Sequence, residues 1–290
     1  MPGGLPHRPS RNLTASDAPK GGGGSARCVN RSAGLQLGCM EEKKVQRVWI
    51  TGGSSGIGRA LALHYAREGA YVLVSGRNVE RLDEVARATG GAAYPLDVTD
   101  AEAVKRTVAA VWEDAGPLDL AVLNAGAAFK REGRDDTARN LKRHLEVNLL
   151  GVAHALDALR PRMREAGGGT IALMGSLAGY VGLPRTSGYG TSKAALGYYA
   201  EALWAELRRE KIDLKLVSPG FVRTPIVAAN EFPMPFILEP AEAARIIARG
   251  LERPGFEVAF PRRLAWPLRL LRALPAGWRV QLLARGAGQR

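Results

Sequence analysis

Cysteine is nearly missing: only Cys28 and Cys39 occur, both within the first forty of 290 residues. The rest of the chain therefore has no disulfide framework, no Cys-x-x-Cys metal pattern and no thiol nucleophile, and suits a reducing compartment. Histidine is also scarce. His7, His64, His144 and His154 form no His-x-x-x-His pair and no cluster with carboxylates. A metal needs three or four converging ligands, so no metal site is expected, and His144 and His154 are expected as surface or core residues on helix faces. Long apolar runs are absent, since nothing approaches the ~18 residues that mark a spanning helix. The N-terminus has no apolar core of a secretory signal. A cytoplasmic protein is expected.

Acidic residues are missing from the ends. Residues 1–44 carry seven Lys/Arg against three Asp/Glu, and residues 261–290 carry seven Arg and no acid, so only +2 of the net charge of +13 falls on residues 45–260. A nucleic-acid binder would stripe its folded surface with cations, and this body does not.

What is present is enough apolar residue, 46% of the chain, to bury one full α/β core. Residues 1–39 are excluded from that core. They are rich in Gly, Pro, Ser and Arg, include the run Gly21-Gly22-Gly23-Gly24-Ser25, and have the composition of a disordered extension. Their Arg-rich, acid-poor character matches an organelle transit peptide, but Gly and Pro oppose an amphipathic helix. A translated upstream extension with Met40 as the start is the favoured reading. From Val45 onward, short apolar runs alternate with helical periods. Strands are expected at residues 45–51, 71–75, 92–96, 118–124, 170–175, 214–218 and 256–260, and helices at 57–68, 79–88, 100–114, 136–165, 189–210 and 240–252. That order predicts an α/β fold in three layers, with a doubly wound seven-stranded parallel sheet of Rossmann type over residues 40–261, followed by a tail at 262–290.

After the first strand comes Thr51-Gly52-Gly53-Ser54-Ser55-Gly56-Ile57-Gly58, which leads into a helix. Glycines at 52, 56 and 58 allow a tight turn, close approach of backbone N–H groups to a pyrophosphate, and close packing of helix on sheet. The strand–turn–helix order makes this a dinucleotide site, with Gly52, Ser54, Ser55, Gly56, Ile57 and Gly58 as its contacts.

Tyr189 and Lys193 stand four apart at the start of a long helix and so share a face. A free phenol, with a pKa of about 10, is a poor base, but a fixed ammonium and the positive charge of an oxidised dinucleotide draw it toward the working range. Tyr189 can then take a proton from an alcohol or give one to a carbonyl. Ser176, at the end of the fifth strand in Met174-Gly175-Ser176, can hydrogen-bond the substrate oxygen as charge develops on it.

The Gly-x-x-x-Gly-x-Gly turn and the Ser and Tyr-x-x-x-Lys motifs together resemble the short-chain dehydrogenase/reductase family over about residues 45–261. The resemblance implies that Ser176 polarises the carbonyl, Tyr189 is the acid/base, and Lys193 binds the nicotinamide ribose and tunes Tyr189. It also implies that Asn148, in the preceding helix, holds a proton-relay water. Asp97 and Val98 match the family's adenine contact, and Asn124, Ala125 and Gly126 its Asn-Ala-Gly element. Pro219, Gly220, Val222 and Thr224 match the segment that meets the carboxamide. In the family an acid at the end of the second strand selects NAD. Here that position reads Val74-Ser75-Gly76-Arg77-Asn78, and Arg77 can make charge-assisted bonds to a 2′-phosphate, so NADP(H) is favoured over NAD(H).

Phe129, Leu177, Val181, Leu183, Phe221, Phe232, Met234 and Phe236 are expected around the mouth, which favours a bulky apolar ketone or aldehyde. Packing in the core or between subunits is the competing role for these residues. In residues 262–290, Leu264, Leu268 and Leu271 share a helical face amid Arg262, Arg269 and Arg272, with Trp266, Trp278, Arg279 and Arg285 alongside. Pro267 and Pro275 are expected to divide this tail into short pieces. Its two candidate surroundings are an anionic membrane surface and the protein itself, either the body or a second subunit. The leading expectation is an oxidoreductase interconverting a small-molecule carbonyl and an alcohol, homo-oligomeric through its long helices. A cofactor-binding sensor or membrane-associated scaffold on the same fold is the alternative, and it has no use for a proton-transfer group. An epimerase or dehydratase would need a longer domain after the sixth strand.

Overall fold

The computed structural model describes residues 45–130, 137–228 and 233–286. The expected disordered extension at 1–39, the expected mouth residue Phe232 and the last four residues of the tail lie outside them. Seven strands form one parallel sheet: β1 (Arg47–Thr51), β2 (Tyr71–Gly76), β3 (Ala92–Pro95), β4 (Leu120–Leu123), β5 (Gly169–Met174), β6 (Ile212–Pro219) and β7 (Glu257–Phe260), in the order β3-β2-β1-β4-β5-β6-β7. Strands of a parallel sheet are covered on both faces, which accounts for their unbroken apolar runs. Trp49, Leu73, Ala121 and Ile171 belong to one core layer, and Val48, Ile50, Val72 and Val122 to the other.

The helices are α1 (Gly56–Arg67), α2 (Val79–Thr89), α3 (Ala101–Ala115), α4 (Thr137–Leu145), α5 (Gly151–Glu165), α6 (Ser187–Arg209), α7 (Pro240–Leu251), α8 (Arg262–Ala273) and α9 (Ala276–Gly286). Their starts follow the sequence. Asn78 Oδ1 accepts from the Arg81 amide at 2.8 Å and Asp100 Oδ1 from the Ala103 amide at 2.9 Å, each capping the helix after it. Ser55, at the start of α1, makes no such side-chain bond, which leaves the first amides of α1 facing outward.

The strand order reverses between β1 and β4. The glycine turn after β1 and the Asn124-Ala125-Gly126 segment after β4 therefore flank the crevice at the carboxyl ends of the strands, where open α/β sheets bind their ligands.

Two expectations change. The helix expected over 136–165 is one helical path, but its middle turn, Glu146–Leu150, is wound as a π-helix around the fully buried Asn148. In the tail, α8 runs through Pro267 without a break, and the division falls at Pro275 alone. Pro267 is tolerated where the only backbone bond it removes belongs to the exposed side of a helix held by packing. The inner face of α8 buries Ala265 and Leu268 against Leu177 and Val181.

Candidate active site

A cleft of about 300 Å³ runs along the crevice. At one end lie Gly52, Ser54, Ser55, Gly56 and Ile57 of the glycine turn, with Arg77, Asp97 and Val98. At the other lie Ser176, Tyr189, Lys193, Pro219, Gly220, Val222 and Thr224, and Asn124, Ala125 and Gly126 form the floor between them. Two named residues stand behind the wall rather than in it. A side chain on Gly58 would collide with the Gly52 carbonyl and the Asn124 amide, so Gly58 is there for close packing of α1. Asn148 is the other.

The turn is shaped for backbone approach. Gly52 (φ +67°) and Gly56 (φ +55°) occupy the left-handed region, and a Cβ on Gly56 would stand 3.0 Å from Thr224 Cγ2 across the cleft. Asn124 Nδ2 donates to Thr51 O at 3.0 Å and to Gly52 O at 3.2 Å, and Thr51 Oγ1 accepts from the Ala125 amide at 3.0 Å. These bonds lock the two sides of the crevice together. Arg77 is exposed at the outer end. Burial alone would raise the Asp97 carboxyl, but bonds from the Thr99 amide and hydroxyl and the nearby Arg77 charge hold it below its usual range.

At the inner end, Lys193 is buried on α6. Its Nζ donates to Met174 O at 2.7 Å and lies 5.9 Å from the centre of the Tyr189 ring. That one protein bond leaves two ammonium N–H groups for hydroxyls in the cleft. Burial pulls the ammonium down to about 8. The Tyr189 phenol is pushed up by burial, and only the hydrogen bond with Ser176 opposes this. The draw expected on the phenol from Lys193 together with an oxidised nicotinamide has this desolvation to oppose. Without further charge in the cleft, Tyr189 rests as the neutral acid. Ser176 Oγ accepts from the Ala178 amide at 3.1 Å, which fixes the hydroxyl at the start of the 3₁₀ turn Leu177–Gly179.

Asn148 bonds through both ends of its amide. Oδ1 accepts from the Ala127 amide at 2.8 Å, and Nδ2 donates to Ala127 O at 2.9 Å and to Ser192 Oγ at 3.0 Å. Ser192 Oγ in turn donates to the Tyr189 carbonyl at 2.7 Å. Oδ1 keeps a second lone pair, and the side chain ties the segment after β4 to the first turn of α6.

Residue types gave no signal for a second tie beside it. His144 Nε2 accepts from the Phe129 amide at 3.0 Å, and Nδ1 faces the Asn140 carbonyl at 2.7 Å, so the ring is neutral and protonated on Nδ1. Burial, then the Arg143 and Lys193 charges, lower its pKa against the raising effect of the Asn140 carbonyl. Its edge meets the Tyr189 ring at 6.2 Å. A core histidine was one of the two roles expected, but its contact with Tyr189 was not foreseen.

The expected mouth is corrected. Phe129, Leu177, Val181, Leu183, Phe221 and Phe236 do not line the cleft, whereas Met234 lines a hollow that adjoins it at Thr224, Pro225 and Val227. Leu177 and Val181 are core beneath α8, with Leu183 packed against them, and Phe129 lies between His144 and the Arg143 guanidinium, 4.2 Å from its centroid. Ala127, Val147, Met174, Gly175, Ile226 and Val227 also line the cleft. Among the described residues, no group of three or more metal-binding side chains occurs.

A dinucleotide crevice with a serine, a tyrosine and a lysine gathered at its inner end defines a class of nicotinamide-dependent oxidoreductases. The sequence pattern described as "short chain dehydrogenase" matches residues 46–232. An uncharacterized oxidoreductase of Myxococcus xanthus is 36% identical over 241 residues, which are 81% of this chain and 95% of that protein. The probable oxidoreductase EphD of Mycobacterium tuberculosis is 40% identical over 194 residues, 65% of this chain but only 33% of EphD. Among solved structures, a short-chain dehydrogenase from Streptomyces avermitilis superposes with a TM-score of 0.72 at 28% identity, covering 84% of this chain and 99% of that one. A single-substitution variant of actinorhodin polyketide ketoreductase with NADPH gives 0.69 at 27%, covering 76% and 97%. The chain belongs to the short-chain dehydrogenase family and is an oxidoreductase that acts on alcohol or carbonyl groups of small molecules with a nicotinamide cofactor.

Proposed function

We propose that the protein is an NADP(H)-dependent reductase of apolar ketones or aldehydes. The observation that carries this is the convergence of Ser176, Tyr189 and Lys193 at the inner end of a cleft whose outer end holds Arg77, with no acid at the end of β2 to take a ribose 2′-hydroxyl in place of a phosphate. The actinorhodin ketoreductase, solved with NADPH, gives parallel support.

The cleft fits the cofactor on its own chemistry. Left-handed glycines and the uncapped start of α1 offer backbone N–H groups to a pyrophosphate, and Arg77 and Ser54 flank the position of a 2′-phosphate. The two unused Lys193 N–H groups suit a ribose diol, and Thr224 with the Val222 backbone suits a carboxamide. A bound NADPH supplies the hydride.

The protein's own residues do the rest. Ser176 donates to the substrate oxygen and holds it against Tyr189, and Tyr189, resting as a neutral phenol, gives that oxygen its proton as negative charge develops. The buried Lys193 ammonium stabilises the phenolate left behind. Asn148 and Ser192 keep the Tyr189 turn in register with the floor of the cleft. Met174, Val147, Ile226 and Val227 supply an apolar wall, which sets the substrate preference.

The test is consumption of NADPH and, separately, NADH with a panel of apolar ketones, aldehydes and quinones. NADPH-selective turnover supports the proposal. Tight NADPH binding without turnover of any carbonyl favours the sensor reading, and faster turnover with NADH removes the role given to Arg77.

A further inference from the structure

Helices α8 and α9 carry a surface that the catalytic reading does not use. α8 is held firmly to the body. Ala265 and Leu268 are buried beneath it, and Arg269 Nη2 donates to Glu257 Oε2 at 2.7 Å, while the other oxygen of that carboxylate accepts from Tyr180 and Ser218, each at 2.6 Å. Arg279 of α9 donates to Arg272 O at 3.0 Å and so caps the carboxyl end of α8. The pair is a fixed platform.

Its outer face is apolar and basic together. Trp266 (57% exposed) and Leu270 (67%) stand four apart on α8, and Trp278 (67%) and Leu282 (48%) four apart on α9. Around them Arg262, Arg263, Arg272 and Arg285 are exposed, and residues 261–286 contain no Asp or Glu. Large apolar side chains held in water on a rigid helix face call for a covering partner. We propose that this face docks on the surface of an anionic lipid bilayer, with the indole and leucyl side chains at the headgroup boundary and the arginines on lipid phosphates.

The chemistry selects this occupant over others. A symmetric contact with a second copy would set the patch against itself and bring arginines onto arginines with no carboxylate between them. A nucleic acid would meet the arginines but leave the tryptophans and leucines uncovered. Lipid satisfies both, because indole favours the membrane interface and long cationic side chains extend to headgroups. The helices lie on the bilayer rather than cross it. At 12 and 11 residues they reach ~18 Å, short of a hydrocarbon core of ~30 Å. The docking reading is independent of the reaction, since none of these side chains lines the cleft. It bears on the reaction all the same, because Leu264 on the inner side of α8 packs 3.0 Å from where a Cβ on Gly220 would stand. The cleft is thereby anchored beside a phase in which apolar carbonyl compounds dissolve.

The experiment is co-sedimentation of the full chain with vesicles of phosphatidylcholine alone and of phosphatidylcholine mixed with phosphatidylglycerol, with tryptophan emission recorded throughout. The expected result is binding to the anionic vesicles, a blue shift in emission, and release by high salt. Arg262→Gln with Arg263→Gln should weaken partitioning by roughly fivefold per charge removed. Trp266→Ser with Trp278→Ser should remove most of the blue shift. Melting curves and soluble NADPH turnover should be unchanged in both variants. No binding to anionic vesicles, equal binding to neutral ones, or self-association that shields the tryptophans without lipid would each overturn the proposal.

Discussion

Replacing Asn148 with alanine removes three hydrogen bonds at once, to both backbone groups of Ala127 and to Ser192, from a residue with no exposed surface. At a net ~1 kcal/mol per bond the loss is about 3 kcal/mol. A domain of this size shifts its midpoint by about 2–4 °C per kcal/mol, so thermal melting should fall by roughly 6–12 °C. Asn148→Asp separates the contacts. It keeps the acceptor for the Ala127 amide but sets a carboxylate oxygen against the Ala127 carbonyl. Protonation restores a donor there, and a buried carboxylate that gains a partner by protonating has a raised folded-state pKa. The aspartate variant should therefore recover stability as pH falls from 7 toward 5, whereas the alanine variant should not. Melts followed by circular dichroism at both pH values, alongside NADPH affinity, decide the matter. If Asn148→Ala melts within about 2 °C of the parent, less than one bond's worth, yet loses turnover, the amide acts on the reaction directly and the clamp reading is wrong.

Other outcomes follow from the same geometry. Arg77→Ser should weaken NADPH binding by roughly 10–100-fold, as expected from losing a charge-assisted bond of about 1.5–3 kcal/mol, and leave NADH binding within about threefold by fluorescence titration. Because burial lowers the Lys193 ammonium to about 8, its charge is lost as pH rises through that value, so NADPH affinity should decline above pH 8 in the parent protein and stay flat in Lys193→Met. His144 is held neutral by the Phe129 amide it accepts from, so the unfolded chain takes up a proton near pH 6.5, the usual histidine value of about 6.5, before the native state does. Stability should then fall as pH drops below about 6.5, and His144→Phe should flatten that decline in acid denaturation curves while costing roughly 1–3 kcal/mol at pH 8 for the unpaired amide.

The sheet was legible because parallel strands buried on both faces leave unbroken apolar runs between glycines, and all seven lie where those runs predict, with ends shifted by a few residues. β6 starts at Ile212, earlier than its apolar run, because the exposed Asp213 and the buried Lys215 interrupt the pattern. Lys215 pairs with Asp213 at 3.1 Å and also donates to the Arg253 and Gly255 carbonyls, the second partnership being one that only the folded chain reveals. The glycine turn and Tyr189 with Lys193 were legible because both are local: turn and helix spacing alone set their geometry. The tethering bonds of Asn148 and His144 were not, since each reaches across 15 to 21 positions to backbone groups, which carry no side-chain signature. Leu177, Val181 and Leu183 resemble mouth residues in sequence because they follow Ser176 directly. What buries them is α8, some 80 positions downstream, a distance over which periodicity carries no information.

The most direct test of the proposed chemistry is a single-turnover measurement of NADPH oxidation with a ketone substrate, comparing the parent with Tyr189→Phe. If Tyr189 is the proton donor, the variant should bind NADPH within about threefold of the parent and reduce the ketone ~10²–10⁴-fold more slowly, the range of a general acid. A variant that reduces the ketone within tenfold of the parent rate would contradict the assignment and move the proton donor elsewhere in the cleft.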